Sequence, residues 1–306
     1  MSNKKILILF ISLSVIYLLE ALFISSDASA RSKFNLSATE VKLLSLTVTL
    51  PIIFIWMLGC YAYIKFRSYV DTIAKDKDGR VFRIISYGLL ALFLWLPISS
   101  VFSNMATYLY RTNPSWTAPL VITNNYINLA LVLVGFALIY KGAYKLINLK
   151  ESRNISGWKY ITLLPLVFIS ALFTFLTLNN PVRQFPSADV PTAAYYLPDW
   201  LLIITIIIPY VLVFYLGFFS ILYIYMYRKN VRGIIYKNAL DYFAKGLLCI
   251  VLSIIVIRYL AALTTLFDNS TLKIILLIIY LLILLLLCGF ILLVKSVKKL
   301  KAIEKA

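Results

Sequence analysis

Histidine is absent from this 306-residue chain, and acidic residues are few, 12 Asp and Glu against 30 Lys and Arg. Without an imidazole there is no histidine general base, no axial histidine for haem and no histidine-containing zinc site. The three cysteines, Cys60, Cys249 and Cys288, all fall inside apolar runs, so no disulfide framework is expected. No Gly-rich phosphate loop occurs, and no pair of carboxylates shares an apolar run. The chain is therefore not expected to be an enzyme, nor to hold a metal or an organic cofactor. No motif specifies a reaction or a ligand.

What the chain does have is apolar length. Residues of hydrophobic type make up 62% of it and charged ones only 14%, a balance outside the soluble globular class. Eight apolar runs lie near 5–25, 42–64, 84–106, 119–140, 160–178, 200–226, 246–267 and 274–294. Each matches the roughly 20 residues that a helix needs to cross a bilayer. The expected fold class is all-α, a polytopic helical membrane protein with eight transmembrane helices.

Most of the 30 basic residues fall on alternate gaps between those runs. One side has only Arg31, Lys33, Lys42, Arg111, Arg183 and Lys273, and Arg258 lies within a run. All the others share the opposite side, from Lys4 and Lys5 through Lys75, Lys141 and Arg228 to Lys305. Short loops rich in Lys and Arg stay in the cytoplasm. Both termini are thus expected inside, in the plasma (inner) membrane. The net charge of +18 would otherwise suggest nucleic acid. Its placement instead makes anionic lipids at the cytoplasmic face the expected partner, with no nucleic acid.

Ala28-Ser29-Ala30 has the small-x-small look of a signal-peptide cleavage site. The run before it is closer to a full crossing than to a short signal core, and it carries Glu20. It is expected to remain as the first span.

Sliding the chain on itself by 158 positions lays Pro51 on Pro209, Leu58-Gly59 on Leu216-Gly217, Tyr69 on Tyr227, and Gly88-Leu89-Leu90 on Gly246-Leu247-Leu248. A shift of 154 lays Gly135-Phe136, Lys141 and Lys145-Leu146 on Gly289-Phe290, Lys295 and Lys299-Leu300. The chain is thus expected to hold a four-span unit twice, at 1–150 and 151–306. Four spans return to the side they left, so the copies would be parallel, related by an axis along the membrane normal. The glycines would let helix backbones approach, and the two prolines would free carbonyls in the outer halves of their spans.

Polar residues inside the runs mark the candidate site. An ionisable group in a span costs on the order of 2.5–3.5 kcal/mol on the insertion scale, so each needs a partner or a use. Glu20 and Arg258 reach comparable depth in the outer half, where an ion pair would offset both costs. Ser100, Ser103, Asn104 and Thr107 follow the spacing of one helical face. Asn124, Asn125 and Asn128 add polar groups on the next span. The expected substrate-binding set is Arg258, Ser100, Ser103, Asn104, Asn124, Asn128 and Glu20. It would line an outward-facing pocket between the two copies, binding or moving a small polar, possibly anionic, solute. The other reading is a non-enzymatic membrane scaffold or accessory subunit, in which the same groups only hold helices together.

Weaker signals are read as structure. Asp76-Lys77-Asp78-Gly79 breaks the order of a calcium loop and reads as a cytoplasmic turn. Lys245 stands near the cytoplasmic boundary, as a topology charge. Asn35-Leu36-Ser37 and Asn269-Ser270-Thr271 match the glycosylation pattern by chance. Tyr195, Tyr196 and Trp200, in and beside a proline-rich outer loop, are expected as interfacial anchors.

Overall fold

A computed structural model describes residues 3–25, 37–73, 77–112, 117–147, 199–231, 233–264 and 272–304. Among them there is no strand. Seven helices account for nearly all of these residues: α1 (Asn3–Ser25), α2 (Ala38–Thr72), α3 (Lys77–Thr112), α4 (Thr117–Ile147), α5 (Asp199–Asn230), α6 (Ile234–Thr264) and α7 (Leu272–Glu304). Five contain a stretch long and apolar enough to cross a membrane: Asn3–Leu22, Ser45–Thr72, Gly79–Phe102, Ala130–Ile147 and Tyr280–Leu300. In hydrocarbon every backbone N–H and C=O must be satisfied within its own segment, and a helix does that. The expected span at 160–178, both glycosylation patterns apart from Ser37, and the loop carrying Tyr195 and Tyr196 lie outside the described residues.

The helices run well past the apolar stretches that define them. The gap expected between residues 64 and 84 is mostly helix: α2 continues through Lys65 and Arg67 to Thr72, and α3 has begun by Lys77. Lysine and arginine are good helix formers, so leaving an apolar region does not end a helix. Lys77, Asp78 and Gly79, expected in a turn, form the first turn of α3. Helices α2 and α3 also run unbroken through Pro51 and Pro97.

Burial falls in seams spaced alternately three and four residues apart. In α3 the seam is Phe82, Ile85, Leu89 and Leu92, and in α6 it is Leu240, Phe243, Leu247 and Ile250. In α4 it is Val132, Phe136, Ile139, Ala143 and Leu146, and in α7 Leu286, Phe290, Leu293, Val297 and Leu300. This spacing is that of left-handed, coiled-coil-like helix packing.

The chain divides into two compact units. The first takes α1 with 38–56 of α2, 92–112 of α3, 117–133 of α4 and 199–209 of α5. Inside it, the Ser45 hydroxyl donates to the Ala21 carbonyl at 3.3 Å, tying α2 to α1, and the rings of Tyr17 and Trp56 meet at 4.8 Å.

The second unit takes 57–72 of α2, 77–91 of α3, 134–147 of α4, 210–230 of α5, and all of α6 and α7. Close backbone approach dominates it. A Cβ on Gly88 would stand 2.6 Å from the Gly135 carbonyl oxygen and 2.7 Å from Ile139. A Cβ on Gly246 would stand 2.9 Å from the Gly289 carbonyl oxygen and 3.0 Å from Leu293. Gly59 faces the ring of Phe290 at 3.2 Å, and Gly217 faces Val251 at 2.7 Å and the ring of Phe136 at 3.4 Å. The Ser296 hydroxyl of α7 donates to the Ala239 carbonyl of α6 at 2.7 Å. Between α5 and α6, Gly233 turns the chain with φ of +103°, a conformation that side chains resist.

Candidate functional site

In the first unit, four of the polar residues expected at the site fall into two pairs. Glu20 sits three residues after Tyr17, hence on the same face of α1, and the Asn104 side chain of α3 lies close enough to act on its carboxyl. One carboxylate oxygen, Oε2, is buried and has no partner. The Tyr17 phenol lies within electrostatic range of that carboxylate, and its ring leans on Trp56 of α2.

The second pair is within α4. Asn128 donates from Nδ2 to Asn124 Oδ1 at 3.2 Å across one helical turn. Both side chains are buried, at 3% and 8% exposure, and Asn128 Oδ1 has no partner. In α3, Trp95 is likewise buried with its indole N–H unpartnered. A buried polar group left unmatched costs about 1–3 kcal/mol, so these atoms ask for an occupant or a use.

Of the residues expected at the site, the structure thus sets Glu20 beside Asn104 and joins Asn124 to Asn128. Ser100 is half-buried on α3, one turn before Asn104. Arg258 lies in α6 and Ser103 in α3, but their side chains are outside the described residues, as are those of Asn125 and Thr107. Asn104, not foreseen as the neighbour of Glu20, fills that place among the described residues. Tyr17 was also not foreseen; its signal was an aromatic side chain one turn before the only acid of its run.

A second polar cluster lies in the other unit, where the last turns of α5 meet the first turns of α6. Asp241 accepts a hydrogen bond from the Tyr225 hydroxyl at 2.8 Å, pairs with Lys245 Nζ at 2.8 Å, and has Arg228 Nε at 3.8 Å. Arg228 also donates to the Lys237 carbonyl at 3.3 Å and stands over the Tyr225 ring. Asp241 precedes the apolar run of α6. Burial pushes its carboxyl up, but the hydrogen bonds from Lys245 and Tyr225 and the charges of Lys245 and Arg228 outweigh that and hold it below the ordinary carboxylate range. The bond to Asp241 in turn raises the Lys245 ammonium above its ordinary value. This network clamps the α5–α6 turn at Gly233.

Among the described residues, no group of three or more Cys, Asp and Glu side chains is placed to hold a metal ion. Comparison with known proteins finds no matching family model, no similar curated protein and no similar solved structure.

Proposed function

We propose that this is a multi-pass protein of the plasma (inner) membrane, with both termini cytoplasmic. In this reading it is built from two parallel four-helix repeats, 1–150 and 151–306, and binds or moves a small polar solute through an outward-facing pocket between them. Neither enzymatic activity nor a cofactor enters the reading, and anionic lipid at the cytoplasmic face is its bulk partner.

The repeat draws support from contacts within the second unit. The shifts of 158 and 154 carry Gly88 onto Gly246, Gly135 onto Gly289 and Ile139 onto Leu293, and each glycine at 88 and 246 meets the counterpart of the other's neighbours. They also carry the buried seam of α3 onto that of α6, and the seam of α4 onto that of α7, position by position. Most tellingly, Gly59 lies against Phe290 while Gly217 lies against Phe136. A twofold axis that exchanges the copies turns the first contact into the second. Parallel repeats of this kind place sites near the midplane where the copies meet.

The solute reading is carried by one observation: Glu20, a carboxylate in a membrane span with Asn104 close by, has its Oε2 buried without a partner. Intramembrane ionisable groups pair, or they serve a ligand or ion path. Arg258 remains a candidate by its place in the sequence. The accessory-subunit reading is favoured by two hydroxyls that bridge helices, Ser45 to Ala21 and Ser296 to Ala239.

Cysteine accessibility separates the two. With Cys60, Cys249 and Cys288 replaced by Ser, Asn104→Cys and Asn128→Cys would be exposed in intact cells to a small, membrane-impermeant thiosulfonate. Modification at position 104 is expected if a watery pocket reaches it. Protection of both cysteines, in protein that inserts normally, removes the pocket and leaves the scaffold. Arg258→Met should then impair assembly rather than solute binding.

A further inference from the structure

The geometry points to a protonated amine as the group received at Glu20, an assignment that rests on the solute reading above and narrows its chemistry. The expectation of an anionic solute came from Arg258 alone. The described side chains of the first unit include Lys4, Lys5 and Lys42 near helix starts, but deeper in its apolar stretches the ionisable group is the acid Glu20. Two unpartnered atoms here, Glu20 Oε2 and Asn128 Oδ1, can accept, and the third, the Trp95 indole N–H, is a donor that carries no charge. An anion beside Glu20 would meet a like charge in a medium of low dielectric, where repulsion is strong. A group that brings N–H donors and positive charge satisfies the carboxylate on both counts.

The surroundings narrow the cation further. Three helices contribute: α1 gives Glu20 and Tyr17, α2 gives Trp56 against the Tyr17 ring, and α3 gives Asn104. One carboxylate and one amide fall well short of the 6–8 oxygens that calcium takes, and magnesium demands near-octahedral oxygen geometry. An ammonium needs only three acceptors, and aromatic neighbours favour an organic cation. The Asn104 amide stands beside the carboxyl, and Oε2, which has no partner, is the atom free to accept an incoming N–H. Tyr17 and Trp56 are buried, at 8% and 2% exposure, so they wall this place rather than cap it.

The test uses the full chain in lipid nanodiscs and two size-matched probes, ethylammonium chloride and sodium propionate, with potassium and magnesium chloride as controls at equal ionic strength. Ethylammonium is expected to raise the thermal midpoint in a saturable way, and the other salts are not. In Glu20→Gln, which keeps the shape and the Asn104 contact but loses the charge, the apparent Kd should weaken by about tenfold or more, the scale of a lost charge-assisted bond. Should that variant fail to fold, the contrast between probes on the unaltered protein still decides. Stabilisation by propionate and not by ethylammonium overturns the amine and leaves a solute site standing. An ethylammonium effect unchanged in Glu20→Gln, or matched by potassium or magnesium, also overturns it. If neither organic probe acts, the amine falls, and the labelling of Asn104→Cys decides separately whether the solute reading falls with it.

Discussion

The ring of Phe290 lies 3.2 Å from the point where a Cβ on Gly59 would stand, so α2 and α7 meet with a hydrogen on one side and an aromatic face on the other. Its counterpart, Gly217 against Phe136, is flanked in addition by Val251 at 2.7 Å. The neighbour at Gly59 is a ring that can tilt, whereas Gly217 is closed by a branched side chain. Gly59→Ala is therefore expected to cost less than Gly217→Ala, within the ~1–3 kcal/mol usual for overpacking. Phe290→Leu should recover part of the loss at Gly59. Thermal midpoints of the single and double variants in detergent check both statements. A Gly217→Ala protein as stable as Gly59→Ala would contradict them.

Gly88 and Gly233 should fail differently. A Cβ at 88 would press into the Gly135 carbonyl at 2.6 Å, and backbone cannot step aside as a side chain can. Gly88→Ala is expected to lower the thermal midpoint and loosen α3 from α4. At Gly233 nothing lies within 4 Å, so the cost of Gly233→Ala is conformational, about 1–2 kcal/mol from φ alone. Asparagine tolerates positive φ better, so Gly233→Asn should recover part of that loss, while Gly88→Asn should not.

Asp241→Asn would remove the acceptor shared by Lys245, Tyr225 and Arg228. The pair is largely solvent-exposed on the Lys245 side, so the loss in stability should be small. The pH dependence has a definite sign. The folded carboxyl titrates below its unfolded value near 3.8, so its contribution is present above that pH and is lost as pH falls through the lower folded value. Acid unfolding of the wild type and of Asp241→Asn should thus converge at low pH. A difference that widens below pH 3.8 would refute the assignment.

Orientation is open to direct measurement. Reporter fusions after residue 75 and after the C-terminal Ala306 should both read as cytoplasmic. Opposite readings at these two points would break the parallel repeats, since an even number of spans would no longer separate them.

The seven described helices all lie where apolar length placed them, because a bilayer-length run admits little else. Their ends were less legible. Lys65, Arg67 and Lys77 mark the edge of an apolar region, but they do not stop a helix: α2 runs on to Thr72 and α3 has begun by Lys77. At the site, Glu20, Asn104, Asn124 and Asn128 stood out simply as polar residues in apolar runs. Which of them meet was not legible, since rotation about each helix is set by packing of glycines and rings far along the chain. The Asp241 clamp was not legible because Arg228 and Asp241 fall in the gap between the apolar runs 200–226 and 246–267, whereas both belong to helical turns.

The rods of α3 and α7 are 36 and 33 residues long, hence about 54 and 50 Å at 1.5 Å per residue, against a hydrocarbon layer of about 30 Å. In the proposed membrane reading, turns beyond that thickness continue as helix past the hydrocarbon rather than as loose connections. An antibody fragment raised to such turns would grip a fixed helical face, adding mass and a fiducial shape to a small membrane particle for imaging.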